Sequence, residues 1–222
     1  MLIIGHRGAR GLETENTLKS FKKALELGVD GVEFDAWTTK DGIPVVSHDS
    51  DLVRMTGFNG QIFDMTYARI QKHKTADGQR ILTAQEVIDL VGKKIIFLEI
   101  KDYYLSPAML KLLDDNAKAN IQVTSFRHDV LLELKQKRPE LKLCTATSWH
   151  PLETISLIRD NSLYGLTLNY RSFNPFIYWL GRRYGIKIRL YTVNSPLYVR
   201  LLKRLGFKVD ICTDRPDLFV AK

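Results

Sequence analysis

In Val32-Glu33-Phe34-Asp35 two acids alternate with apolar residues. In a β-strand the side chains at i and i+2 share a face, so Glu33 and Asp35 project together. The run 96–101 repeats the device, with Glu99 and Lys101 on one face at a strand end and Phe97 as their apolar neighbour. Charges inside apolar strands are costly to bury unless paired or coordinated. Three carboxylates beside a lysine therefore read as a seat for a divalent metal with an anion next to it; an internal salt-bridge network is the structural alternative. Oxygen donors favour Mg, Ca or Mn over zinc without choosing among the three.

The first apolar run ends in Gly5-His6-Arg7-Gly8, where glycines let backbone approach a ligand closely. A lone histidine is more often a packed or capping residue, but His6 stands beside Arg7, whose guanidinium fork fits phosphate oxygens. A second histidine, His48, precedes Asp49. Asp41-Gly42 between β-prone runs signals a tight hairpin. With those two as turn residues, Lys40 faces Ile43, and counting back puts Asp35 opposite His48. Two histidines, three carboxylates, an arginine and a lysine then converge. Such a set suits phosphoryl transfer or phosphodiester cleavage, offering a Lewis-acid seat, a proton donor and a proton acceptor.

Residues this far apart in the chain meet only if the fold gathers strand ends. Apolar runs of strand length fall at 2–6, 31–35, 94–100, 121–125, 141–146, 164–168, 187–191 and 208–212. Helical periodicity lies between them at 17–27, 83–91, 107–119, 128–137, 151–160, 175–184 and 196–205. Asn16 and Thr83 are placed to cap, Ser106-Pro107 and Ser195-Pro196 set a hydroxyl before a helix-starting proline, and Gly28, Gly92, Gly185 and Gly206 can end helices. The alternation predicts an α/β fold, a TIM (β/α)8 barrel spanning 1–222 as one domain, with an insertion at about 36–82 after the second strand. The candidate residues then sit at C-terminal strand ends, where such barrels build their active sites.

Composition narrows the class. The chain has 222 residues, 45% hydrophobic and 26% charged, which excludes disorder, collagen and coiled coil. No uncharged run approaches the roughly 18 apolar residues of a membrane span. Met1-Leu2-Ile3-Ile4 runs straight into Gly5-His6 without a secretory pattern, so a cytoplasmic location is expected. Cys144 and Cys212 lie in β-like runs and read as small buried hydrophobes, not a disulfide framework. The formal net charge of +8 suits an anionic partner, but the basic residues are dispersed and no nucleic acid is expected.

Eight segments occur in order across nearly the whole chain: His6-Arg7-Gly8, Glu15-Asn16-Thr17, Glu33-Phe34-Asp35, His48-Asp49, Glu99-Ile100-Lys101, Ser125-Phe126, Tyr191-Thr192-Val193-Asn194 and Asp210 through Pro216. Together they resemble the glycerophosphodiester phosphodiesterase family. The resemblance implies a TIM barrel, dependence on a divalent metal, and hydrolysis of a small glycerophosphodiester to glycerol 3-phosphate and an alcohol. It implies Glu33, Asp35 and Glu99 as metal ligands, His6 and His48 as the acid/base pair, and Arg7 and Lys101 around the phosphate. Glu15 matches the family's motif glutamate, an orienter of the metal or glycerol shell. Ser125, Phe126 and Asn194 match positions lining the alcohol or glycerol side, with core or loop-ordering roles equally open. Tyr191 departs from the family's frequent Trp, and the insertion from 49 to 82 matches its pattern poorly, which bears on substrate preference. His73, His128 and His150 match no catalytic block and read as surface or loop residues.

Two alternatives stand beside this reading. A lysophospholipase D-type phosphodiesterase would use the aromatic and basic stretch 173–184 to meet an acyl chain or bilayer; packing of that stretch on the barrel is favoured over peripheral membrane contact. A non-catalytic barrel binding nucleic acid or anionic lipid would be expected to have lost at least one of His6, Glu33, Asp35, His48 or Glu99, and none is missing. The division of labour between His6 and His48 stays open, as does the route. A glycerol hydroxyl attacking phosphorus to give a cyclic phosphate is preferred to direct attack by water, because proximity favours it.

Overall fold

The apolar runs pair in parallel, in an order that closes on itself. A computed structural model of the chain describes residues 1–220. The strands are β1 (Ile3–His6), β2 (Gly31–Thr38), β3 (Pro44–Val46), β4 (Ile95–Ile100), β5 (Ile121–Ser125), β6 (Lys142–Thr147), β7 (Gly165–Asn169), β8 (Lys187–Tyr191) and β9 (Asp210–Thr213). β2 pairs directly with β4, neighbours then follow in sequence to β9, and β1 pairs with both β9 and β2. That double pairing closes an eight-stranded parallel barrel, the TIM barrel expected, with its insertion after the second strand. Among the described residues only strand β3 is antiparallel, as the return arm of a hairpin from β2.

The helices are α1 (Leu18–Glu26), α2 (Val53–Thr56), α3 (Tyr67–Ile70), α4 (Ala84–Val91), α5 (Pro107–Asp115), α6 (His128–Lys137), α7 (Pro151–Asp160), α8 (Pro175–Arg183) and α9 (Pro196–Arg204). Local chemistry sets their starts. Ser106 and Ser195 accept from the backbone N–H groups of Met109 and Tyr198, and Thr83 forms a reciprocal capping box with Glu86. At α1 the cap is Thr17, which accepts from the Ser20 N–H. Asn16, expected as a possible cap, instead sits in the left-handed region at φ 56° and sends its side chain toward the barrel.

The hairpin register also differs from the two-residue turn expected. Trp37 faces Val45 and Thr38 faces Pro44, so the loop has three residues, Lys40-Asp41-Gly42. Gly42 takes φ 75°, which L residues resist, and the Asp41 carboxylate ties the Thr39 hydroxyl and the Tyr67 N–H. The Asp35 carbonyl accordingly accepts from the Ser47 N–H at 3.1 Å, and His48 follows one residue later.

Strands of such a barrel are apolar on both faces. Outward residues such as Val32, Phe34, Ile96 and Leu98 pack beneath the helices, whereas Ile4, Phe97 and Cys212 fill the interior. Cys144 and Cys212 are both buried, free thiols. The insertion has its own small core, in which Leu52, Met55, Ile62 and Ile70 pack with Trp37 and Val45. In α8, Ile177 and Gly181 are buried while Phe176 and Trp179 stack on each other in solvent, so only part of its aromatic face packs on the barrel. Among the described residues no helix is long and apolar enough to cross a membrane.

Candidate active site

Glu33 and Asp35 point into the barrel mouth from β2, and the parallel register sets Asp35 beside Glu99 of β4. One ligand atom from each of these three carboxylates lies within 4.8 Å of the others. Burial, together with the charges of Asp35 and Glu99, pushes Glu33 well above the usual carboxylate range. Burial and Asp35 raise Glu99 as well. Burial also works against Asp35, but Lys101 and Arg7 hold it below its ordinary value. Those cations are close: Lys101 Nζ is 3.4 Å from Asp35 and 2.7 Å from Glu99, and Arg7 Nε is 3.1 Å from Asp35. The Arg7 backbone N–H also donates to Glu33 at 2.9 Å. The site is thus rich in negative oxygen and only partly neutralised, and a divalent cation bound by Glu33, Asp35 and Glu99 fits that imbalance.

Each histidine has an aspartate behind it. His6, at the end of β1, meets Asp214 through Nδ1 at 2.6 Å, and His48 meets Asp49 through Nδ1 at 2.6 Å. Both aspartates are held below the usual range despite their burial, so they are ionised and can only accept. Each imidazole therefore carries a proton on Nδ1 and keeps Nε2 for proton exchange. Nε2 of His6 lies 4.0 Å from Glu33. Burial lowers the pKa of His48, and nearby Lys101 and Arg7 add to that against the pull of Asp35 and Asp49.

Behind these pairs lies a second layer. Asn194 donates to Asp214 at 3.0 Å, and Arg10 approaches the same carboxylate at 3.2 Å. Arg54, from α2 of the insertion, donates through Nε to Asp49 at 2.6 Å and through Nη2 to Glu15 at 2.8 Å. Glu15 accepts from Arg7 at 2.8 Å as well, and these cations hold it below its usual pKa against its burial. Asn16 donates to Asp35 at 3.1 Å, which gives its left-handed backbone a purpose.

A cavity of about 240 Å³ unites His6, Arg7, Glu33, His48, Glu99 and Lys101. Phe126 stands on its wall, 46% exposed, and buried Arg189, lying over the Phe97 ring, also lines it. Asp35 sits behind its partners, almost wholly buried. Glu15, Ser125 and Asn194 do not line the cavity. Ser125 donates to the Ile100 carbonyl and accepts from the Arg127 N–H, so its hydroxyl orders the turn after β5. Asn194 acts on Asp214, not on the cavity. Asp49 and Asp214 fall inside the sequence motifs without a role of their own, and Arg10 and Arg54 carry no sequence signal; the carboxylate next to His48 is the one local cue. The remaining histidines stay outside: His73 stacks on Phe58, His128 reaches the Ala146 carbonyl, and His150 is exposed.

Comparison with known proteins agrees with this geometry. The profile described as "Glycerophosphoryl diester phosphodiesterase family" matches residues 6–218. A glycerophosphodiester phosphodiesterase of Caldanaerobacter subterraneus subsp. tengcongensis is 32% identical over 99% of this chain and 96% of its own length. The crystal structure of a glycerophosphodiester phosphodiesterase from Thermotoga maritima superposes with a TM-score of 0.83 at 30% identity, covering 99% of this chain and 96% of that one. A phosphodiesterase of Oleispira antarctica, solved with the product sn-glycerol-3-phosphate, shares the fold at a TM-score of 0.86 and 24% identity, covering 97% and 94% of the two chains. With the profile running from His6 almost to the end of the described chain, this protein belongs to the glycerophosphoryl diester phosphodiesterase family.

Proposed function

We propose that the cavity hydrolyses glycerophosphodiesters with a divalent cation held by Glu33, Asp35 and Glu99. The observation that carries this reading is the three-carboxylate group flanked by two histidines, each tethered to an aspartate through Nδ1. A cation bound there supplies Lewis-acid polarisation of a phosphoryl oxygen. Arg7 and Lys101 bind the remaining phosphate oxygens and offset charge that builds on them during displacement. His48, held below its usual pKa, is neutral at neutral pH and takes the proton of the attacking hydroxyl on Nε2. His6 enters this step as the imidazolium, with Nδ1–H held by Asp214, gives its Nε2 proton to the departing alkoxide and is left neutral, the Asp214 carboxylate steadying the charged ring. Phe126 offers an apolar wall to the carbon skeleton of the substrate, while Glu15 and Asn194 set the positions of Arg7 and Asp214.

A panel of metals against substrates tests the proposal. EDTA should abolish turnover of glycerophosphocholine, and Mg, Mn or Ca should restore it. Including an analogue without the neighbouring glycerol hydroxyl reads the route, since it should bind yet be cleaved slowly if that hydroxyl attacks. Full activity in chelator, with metal shown absent by elemental analysis, would overturn the metal assignment.

A further inference from the structure

Arg54, on α2 of the insertion, does not line the cavity, yet it contacts two carboxylates that hold two different cavity residues, His48 and Arg7. Its Nε meets Asp49 Oδ2 at 2.6 Å, while Asp49 Oδ1 holds His48 Nδ1 at 2.6 Å. Its Nη2 meets Glu15 Oε1 at 2.8 Å, the same oxygen that accepts from Arg7. We propose that Arg54 is a positioning residue by which the insertion holds the imidazole of His48 and the guanidinium of Arg7 in one fixed relation.

Packing alone does not fix His48. Its side chain is 35% exposed and that of Asp49 30%, against 11% for the side chain of His6. A half-exposed imidazole can turn about its χ angles unless a polar chain restrains it, and restraint of this kind is what holds reacting groups in a productive geometry. Arg54 is suited to the task because a planar fork can address two carboxylates at once, which a lysine ammonium on its flexible stem does less well. The backbone beneath it is fixed. Buried Leu52 and Met55 anchor α2 in the small core of the insertion, Asp51 accepts from the Val53 N–H, and Gly57 at φ 75° ends the helix. Arg54 is thereby carried on a rigid step that faces the barrel.

The His6 side has an analogous arrangement, with Arg10 at 3.2 Å from Asp214. Arg10 also lies 3.8 Å from Glu15, so the three arginines at positions 7, 10 and 54 converge on one carboxylate. Arg54 acts through that hub and through Asp49, without lining the cavity itself.

This inference rests on the proton-transfer role given to His48, and its test separates the two. In Arg54→Ala, kcat should fall by about 10- to 100-fold, the scale seen when an outer partner of a site is removed. KM should change by less than about threefold, because Arg7 keeps its own contacts with Glu15 and Asp35. Arg54→Lys should recover only part of the loss, and added guanidinium should partly rescue the alanine variant. Proton NMR gives a readout independent of turnover. The Nδ1 proton in the short His48–Asp49 bond should resonate far downfield, be assigned by its absence in His48→Ala, and broaden or vanish in Arg54→Ala while the His6 counterpart persists. An Arg54→Ala enzyme with kcat within about twofold of the parent would overturn the proposal. So would an unchanged His48 resonance, or loss of both imidazole resonances together with a lowered melting temperature. Absence of turnover in the parent enzyme would instead remove the catalytic role of His48, and the NMR arm would still decide the part of Arg54.

Discussion

At the scale of single residues, the two histidines are matched in chemistry but not in setting. Each presents Nε2 because an ionised aspartate occupies Nδ1, yet His6 is enclosed by the barrel rim and His48 stands half in solvent. In the proposed mechanism, removing either imidazole takes away one proton transfer and leaves the carboxylates in place. His6→Ala and His48→Ala should each lower kcat by about a hundred- to ten-thousand-fold with unchanged circular dichroism, the usual worth of a general acid or base. Near-parental turnover in either variant would show that its histidine is structural. The residue types were legible in the sequence because acids and a lysine in apolar strands call for an explanation. Their partners were not. Asp214 lies 208 positions from His6 and Arg54 lies 39 from Glu15, and no local pattern encodes such meetings.

At the scale of elements, the turn from β1 into α1 is the most constrained segment of the site. Arg7, Gly8 and Asn16 all have positive φ, and a Cβ on Gly8 would come within 2.5 Å of the Ser20 hydroxyl and 2.6 Å of its carbonyl carbon. Gly8→Ala should therefore destabilise the protein by about 1–3 kcal/mol, the range for forcing an L side chain into such backbone. Activity should fall with stability, because the turn carries His6 and Arg7; equal urea midpoints for parent and variant would contradict the strain. Strand positions and most helix starts were readable from periodicity, serine caps and prolines. The hairpin was misread by one residue because Asp41-Gly42 is the usual mark of a two-residue loop, whereas here Asp41 is engaged by Thr39 and Tyr67 and leaves Gly42 to close a longer one. Asn16 was misread for a related reason. Capping propensity is shared by Asn and Thr, and which of the two adjacent residues caps is decided by the demand of Asp35, on the neighbouring strand β2, for a donor.

At the scale of the molecule, the ionisable groups of the site make stability depend on pH, and the metal proposed for Glu33, Asp35 and Glu99 would couple that dependence to the cation. Glu15, Asp35, Asp49 and Asp214 have folded pKa values below their unfolded ones, so their stabilisation is present above the ordinary carboxylate range and lost as pH falls through the folded values. Glu33 and Glu99 run the other way. Their folded pKa values are raised, so the native state binds more protons and stability declines as pH rises from the ordinary range through the raised values. In EDTA the melting temperature should pass through a maximum in weak acid and fall toward neutrality. Saturating Mg should remove that fall, adding about 2.7 kcal/mol at a hundredfold excess over its Kd. A metal-free melting temperature flat from pH 5 to 8 would contradict the assignment of uncompensated charge to this group.

The closing of β1 against β9 has a further meaning for how the chain is made. His6 is synthesised 208 residues ahead of Asp214, and the two touch only once β9 is seated beside β1. A nascent or truncated chain that stops before β9 can form most of its helices and neighbouring strand pairs and still lack the anchor for His6. Catalysis thus reports completion of the ring and not its accumulation. In a refolding experiment the far-ultraviolet signal would recover ahead of turnover, and the interval between them would measure the time the barrel takes to find its last seam.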